Sequence, residues 1–420
     1  MTAGLRRSFD SLSVPNYRRY FAGQVVSLSG NWMQTVAEIW LILGLTGSGF
    51  AVGLTTALQF LPILLFGAWG GMLADRLPKR RLLIGTQALM TIPPLALFAV
   101  SVAGVVTPLM VYALVFTRGA INAVDNPTRQ SFVFEIVGSG RVVNAVSLNS
   151  VIVHSARVIG PALAGALIAL VGVEPCFALN ALSFGVMIAA LRRMDPAQLG
   201  DPPVSDPDGA GVRAALRYVR ATPELAVPLA LMALVGTFGL NFQVVLPLLA
   251  RFTFDGGASA YAVLLCAMGA GSVIGALITG ARGRSGPALI GSSAAAFGVL
   301  CVLGALAPSL AVEVPILALL GAASVTFAAT VNSSLQLAVE PQMRGRVMAL
   351  YSVVFLGSTP IGGPLSGWLS EAYSPRIALL LAASAGLSAA GAAYVIARRR
   401  SGPTGPREAR QQIAAGASRS

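Results

Sequence analysis

The chain has 420 residues, is 55% hydrophobic and only 11% charged, with a mean hydropathy of +0.76 and a net charge of +13. Soluble domains carry about 25% charged residues, so the polar side chains here are too few to coat two or three soluble domains. A single histidine, His154, excludes most histidine-based metal centres. Cys176, Cys266 and Cys301, far apart in sequence, offer no disulfide framework or metal motif, so neither a metal nor a cofactor is expected.

Apolar runs of roughly 20 residues, each long enough to cross about 30 Å of hydrocarbon, recur along the whole chain. They predict twelve membrane spans near 20–45, 51–74, 82–104, 107–128, 144–170, 175–192, 225–248, 259–281, 287–307, 312–334, 347–370 and 376–397. The start, "RRSFDSL", has paired arginines, but the apolar run after it is too long for a cleaved signal and lacks a small-residue cleavage site. With the N-terminus inside, all but four of the 29 Lys and Arg fall on inner loops and tails. The four are Arg118 and Arg157, within spans, and Arg251 and Arg376, outside. That asymmetry is the positive-inside signature. It accounts for the basic charge without nucleic acid and places both termini in the cytoplasm.

The polar residues within the spans fall in stripes. In the first span Asn31, Gln34 and Glu38 share one face, and in the fourth Arg118, Asn122 and Asp125 do the same. Ser150, His154 and Arg157 form a third stripe in the fifth. At about 1.5 Å per residue, Glu38, Arg118 and Arg157 lie roughly 12, 16 and 20 Å from the outer ends, in one slab of the membrane. Ionisable groups at that depth are costly and mark function by default. A structural Glu38–Arg118 pair and a hydrogen-bonded core His154 are the plainer alternatives. The second half reads as free of charge within its spans, with polar groups such as Asn241, Gln243, Asn332 and Gln336. One carboxylate beside two arginines favours neutral or anionic compounds over cations.

Between the sixth and seventh spans, residues 192–224 are rich in Pro, Gly and Asp and end in "VRAALRYVR", a short basic amphipathic helix. The chain divides into a six-helix bundle at 1–193, a cytoplasmic linker at 194–224, a second bundle at 225–397 and a basic, disordered tail at 398–420. The halves read as repeats. "EIVGSGRV" at 135–142 matches "EPQMRGRV" at 340–347, and "GPALAG" at 160–165 matches "GPLSGW" at 363–368. Parallel six-helix repeats are a transporter architecture.

Between the second and third spans stands "GGMLADRLPKRRLL". Gly71 allows a close helix approach, Asp75 can accept from the amides at a helix N-terminus, and the basic residues meet lipid headgroups. Gly71, Leu73, Ala74, Asp75, Arg76, Lys79, Arg80 and Leu83 resemble the loop signature of the major facilitator superfamily, with Pro78 where that signature has Gly and Lys79 where it usually has Arg. The resemblance implies a twelve-helix fold in two parallel-repeat six-helix bundles, an all-α membrane protein. It also implies a charge relay between Asp125 and either Lys79 or Arg80. Arg118 matches the arginine of the superfamily's fourth-helix motif, although Ile121 and Asn122 replace the Gln and Gly that follow it. Gly160, Pro161 and Gly165 match the core of the fifth-helix motif associated with exporters, with Ala164 in place of one glycine.

Further stretches, at 16–48, 58–76, 125–137 and 156–170, resemble the transmembrane secretion effector branch, which includes enterobactin exporters and macrolide-efflux proteins. The resemblance implies a monomeric transporter in the cytoplasmic membrane of a bacterium. Its partners would be protons, the lipid bilayer and a small amphipathic substrate, with Glu38 as the proton-coupling group, Arg118 as its switchable partner and His154 in reserve. Proton-coupled uptake on the same fold is the alternative direction. An enzyme would need a clustered nucleophile and base or a set of metal ligands, and a channel a selectivity filter; neither is present in the sequence.

Overall fold

The computed structural model describes residues 10–138, 140–200, 212–282, 286–340 and 342–400, and among them every regular element is helical. The expected N-terminal basic stretch at 6–7, the core of the linker at 201–211 and most of the tail, 401–420, lie outside the described residues.

The first two segments are α1 (Pro15–Thr46) and α2 (Gly49–Arg76). The third is a pair, α3 (Lys79–Met90) and α4 (Ile92–Val102), parted at Thr91. Pro93 and Pro94 lack the amide hydrogens that would carry the ladder through. Then come α5 (Pro108–Val137), α6 (Val142–Val171) and α7 (Glu174–Arg192). The amphipathic stretch is α8 (Val212–Ala221), with Ala215 and Val219 buried; it packs on α9 and α14 rather than lying apart from the protein.

The seventh expected segment is again a pair, α9 (Pro223–Gly239) and α10 (Phe242–Phe252), with Asn241 Nδ2 donating to the Thr237 carbonyl at 2.7 Å beside the break. After α11 (Ala258–Arg282), α12 (Pro287–Leu306) and α13 (Leu310–Ala338), the eleventh segment parts into α14 (Arg344–Gly357) and α15 (Thr359–Ala372). Pro360 sits in the first turn of α15. The last helix is α16 (Pro375–Arg400).

Ten helices or helix pairs among the described residues are long and apolar enough to cross a membrane. The protein is therefore a multi-pass membrane protein. α1 and α5 stand outside that set, and their middles carry the Asn31–Gln34–Glu38 and Arg118–Asn122–Asp125 stripes. Lower apolarity here reflects the site itself.

Helix pairing repeats along the chain. α2 packs on α5 as α11 packs on α13, and α1 packs on α6 and α7 as α9 packs on α15 and α16. Across the repeat, α2 meets α15 and α6 meets α11. Lipid tails give helices no hydrophobic reason to associate, so small residues that let backbones touch carry such contacts. A Cβ on Gly53 would stand 2.4 Å from the Gly363 carbonyl oxygen, and one on Gly367 would stand 2.2 Å from that of Gly49. Two glycine pairs, each four residues apart, thus face each other across α2 and α15. Ser48 Oγ and the Phe50 amide both donate to Glu371 Oε2, at 2.5 and 3.0 Å, sealing the same end.

The opposite end, which bears residues 76–81, is built differently. There Tyr17, Tyr20, Leu83, Phe132, Ile136, Leu148, Met187 and Leu191 form their own apolar cluster, drawn only from α1, α3, α5, α6 and α7. The larger cluster, shared by both repeats, takes its first-repeat members from the sealed end: Val36, Ile39, Ile42, Val52, Val111 and Phe177. The repeats are therefore joined at one end and separate at the other.

A Gly53→Leu substitution should lower the apparent melting temperature by several degrees, since overpacking a tight contact costs about 1–3 kcal/mol. Gly71→Leu is the control, because nothing lies within 4 Å of a Cβ built there. Thermal unfolding of both variants in the same detergent checks this; equal losses would contradict the packing account.

Candidate functional site

α1 and α5 bring the two expected charges together. Arg118 Nη2 is ion-paired to Glu38 Oε2, and both side chains are almost wholly buried, with 2% and 1% of their surface exposed. The carboxylate's other oxygen accepts from Gln34 Nε2 at 2.6 Å. Gln34 Oε1 in turn accepts from Asn180 Nδ2 of α7, and Asn180 Oδ1 accepts from Ser183 Oγ at 2.9 Å. A polar chain therefore runs from α7 through α1 to α5. On the arginine side satisfaction is incomplete. Nη1 reaches Thr35 Oγ1 only at 3.5 Å, and Nε has no partner. A buried pair is secure only when its remaining donors are met; this one is poised to part.

α6 supplies the third stripe. The guanidinium of Arg157 lies over the Trp32 ring of α1, 5.3 Å from its centroid. His154 Nδ1 and Asn31 Oδ1 are buried without hydrogen-bond partners. The exporter-motif glycines position this helix. A Cβ on Gly160 would stand 2.4 Å from Trp32 Cβ, and one on Gly165 2.3 Å from Ala262 Cβ of α11. Gly362 and Gly367 play the same parts in the second repeat, against Thr237 of α9 and Gly49 of α2. The glycines that do equivalent work are thus one position off the alignment that matches the prolines. Pro161 lies within α6 between the two packing glycines.

The loop between α2 and α3 departs from expectation in three ways. Gly71 makes no close approach; Gly70 does, with a Cβ position 2.1 Å from the Ala123 carbonyl oxygen of α5. The glycine that touches is simply the one on the face turned toward α5. Asp75 and Arg76 are exposed, and among the described residues no helix amide donates to Asp75. Third, Asp125 pairs with neither Lys79 nor Arg80. It binds Arg129 Nε one turn along α5 and accepts from Thr86 Oγ1 and Gln87 Nε2 at 2.6 and 2.7 Å.

Lys79 Nζ is instead paired at 2.6 Å with Glu135, because α5 runs on to Val137, more than two turns past the expected end at 128. Arg80 donates to the carbonyls of Leu191 and Arg192 at 2.8 and 2.9 Å, where the C-terminal end of α7 favours a cation. Arg129 Nη1 also reaches Gln24 Oε1, and Gln24 donates to Tyr20 Oη at 2.5 Å. These bonds tie α1, α3, α5 and α7 into one block at the separated end.

Gln24, Arg129, Glu135 and Asn180 are site residues that the sequence reading left out. For Gln24 and Asn180 the available signal was a polar side chain within an apolar run. A further correction concerns the second half, which does carry a charge within a span. Glu313, in the first turn of α13, is fully buried, and neither carboxylate oxygen has a hydrogen-bond partner. It lies against Gly304 of α12. Among the described residues no cluster of three or more His, Cys, Asp or Glu could hold a metal ion.

The sequence profile of the family described as transmembrane secretion effector matches residues 7–414. The staphyloferrin A transporter of Staphylococcus aureus is 23% identical over 62% of this chain and 65% of its own length. That match therefore spans a little under two thirds of the relative. Macrolide efflux protein A of Streptococcus pyogenes is 24% identical over 84% of this chain and 88% of its own. Enterobactin exporter EntS of Salmonella choleraesuis is 26% identical over 86% and 87%. Among solved structures, a bacterial homologue of the human lysosomal transporter Spinster, inward-facing and unoccupied, matches with a TM-score of 0.69 at 18% identity. The match covers 91% of this chain and 94% of that one. A bacterial homologue of the iron transporter ferroportin in an inward-facing state matches at 0.70 and 15%, covering 90% and 98%. These two likenesses bear on the fold alone.

Removing one member of a buried pair strands the other, at about 3–5 kcal/mol, whereas replacing both with apolar groups is near neutral. Glu38→Met and Arg118→Met should each lower the melting temperature, and the double variant should melt above both. Additive losses in the double variant would show that the two side chains do not act as a pair.

Proposed function

Because the chain belongs to the transmembrane secretion effector family of the major facilitator superfamily, we propose that it is a proton-coupled exporter of small amphipathic compounds, working by alternating access. The single observation that carries this reading is the buried, incompletely satisfied Glu38–Arg118 pair joining α1 to α5. In this reading residues 1–193 and 225–397 are two six-helix bundles of twelve spans in all, joined by the linker at 194–224. The protein is a monomer in the cytoplasmic membrane of a bacterium, with both termini and the 76–81 end in the cytoplasm. The structure then corresponds to a state sealed outside and open inside. The named relatives act on siderophores and macrolides, and compounds of that size and amphipathic character are the substrates proposed here.

The coupling step follows from two opposing influences on a carboxyl group. A nearby guanidinium favours the ionised form, and desolvation favours the neutral one. In the inward-open state Arg118 holds Glu38 as carboxylate while substrate enters beside α1, α5 and α6. Rocking to the outward-open state draws α1 from α5, and Glu38, left without its partner, takes a proton from outside. On return Arg118 displaces that proton to the cytoplasm. Arginine does not titrate in proteins, so the moving proton belongs to Glu38, with His154 in reserve. Each pH unit across the membrane supplies about 1.4 kcal/mol, the scale of one such switch. Asp75 acts at closure of the inner end. Its facing helix is α14, whose Gly357 already packs on Leu64 of α2, and the α14 N-terminus offers amides to an anion.

Proteoliposomes loaded with a macrolide or a catecholate siderophore test the proposal. Inverted vesicles with an acid interior should accumulate substrate, and right-side-out vesicles with an acid exterior should extrude it. Glu38→Gln should keep binding and exchange but lose all accumulation driven by the gradient. Undiminished accumulation in that variant would remove Glu38 from the mechanism.

A further inference from the structure

Helix α6 has two contrasting faces. Ile159, Leu163 and Leu170, with 42%, 47% and 81% of their surface exposed, form the apolar one, which suits a face toward lipid. Ser150, His154 and Arg157 lie on the opposite side of the helix, and that side is turned toward Trp32 of α1. The guanidinium of Arg157 therefore faces α1 rather than the apolar outer stripe.

Arg157 has no ion-pair or hydrogen-bond partner among the described residues; its Nε is buried and unmet, and its guanidinium lies over the Trp32 ring. The three helices around it, α1, α6 and α11, hold one acid between them, Glu38. That acid is committed to Arg118. Among the described residues, each arginine or lysine buried in the first repeat has a carboxylate: Arg118 with Glu38, Arg129 with Asp125, and Lys79 with Glu135; Arg157 is half-buried, with its Nε closed off from solvent. Arg157 stands apart from this pattern.

A guanidinium in a low-dielectric site needs a counter-charge or water. With one face stacked on an indole, it keeps its in-plane N–H edge for a planar oxyanion, which it binds through two parallel hydrogen bonds. His154, three residues back on the same face of α6, and Asn31, next to Trp32 in the chain, each carry an unmet polar atom. From this arrangement we infer that Arg157 is the anchor of the substrate site, and that the site takes a small organic anion with a carboxylate joined to an apolar or aromatic body. Trp32 holds the guanidinium flat and offers a surface for that body. This assignment rests on the export reading and gives its substrate a chemical class. An inside-negative membrane potential favours outward movement of an anion, which suits the proposed direction.

Binding of three isosteric probes to purified protein in lipid nanodiscs tests the assignment: 2-naphthoate, its neutral amide 2-naphthamide, and the cation (2-naphthylmethyl)trimethylammonium. Wild-type protein should bind the carboxylate about tenfold or more tighter than the amide, and the cation weakest of all. Arg157→Gln should abolish the carboxylate's advantage, and Arg157→Lys should restore part of it. No gradient is applied, so a failure of proton coupling leaves this readout unmoved, while transport assays judge the export reading separately. Equal binding of carboxylate and amide by wild-type protein would overturn the assignment. So would an advantage that survives in Arg157→Gln.

Discussion

A carboxylate and a guanidinium withdrawn from water each lose several kcal/mol of solvation, and they regain it only by meeting one another in good geometry. Glu38 and Arg118 meet that condition across two helices, with Gln34 and Asn180 extending the contact to a third. The need to bring these groups together sets the packing of α1 against α5 and α7. It also accounts for α1 and α5 falling outside the set of helices apolar enough, by composition, to cross a membrane. Because Arg118 Nε is unmet and its second contact is long, the pair holds the helices without locking them.

The two ends of the molecule use different chemistry for different purposes. At the end bearing Ser48 and Glu371, glycine backbones touch and one carboxylate bridges the repeats. Such a seal is made of small contacts that can be remade elsewhere. At the end bearing residues 76–81, the buried Lys79–Glu135 ion pair binds α3 to α5, the Arg129–Gln24 hydrogen bond adds α1, and Arg80 adds α7. None of these bonds crosses to the second repeat. They tether α1, α3, α5 and α7 at this end, so in the proposed mechanism the parting of α1 from α5 is confined to the level of Glu38–Arg118 and the Ser48–Glu371 end.

Much of this was legible in the sequence. Hydrophobic run lengths located the helical segments, and polar side chains within them located Glu38, Arg118 and Arg157, because a charge in hydrocarbon is too costly to be incidental. Partnership was harder to read. Lys79 finds Glu135 only because α5 continues beyond its apolar stretch, and run length cannot register a helix that extends past the hydrocarbon. Asp125 finds Arg129 one turn away on its own helix, so the nearer partner prevailed over the one the loop signature implied. Gly70 rather than Gly71 makes the close contact, since two adjacent glycines differ by about 100° around the helix and composition does not say which one faces α5. Glu313 fell inside an expected span and was passed over; that neither of its carboxylate oxygens finds a hydrogen bond is visible only in three dimensions.

Linkage makes the central claim measurable. If protons bind Glu38 chiefly when α1 and α5 are apart, acid must shift the population toward the state open at the Ser48–Glu371 end. Spin labels on cysteines at the exposed positions Phe50 and Tyr373 report that opening as a distance distribution in lipid nanodiscs. The account predicts a longer-distance population that grows as pH falls, and a Glu38→Gln protein that shows this population at every pH. A Glu38→Gln protein that titrates like the wild type, or a wild type indifferent to pH, would contradict it.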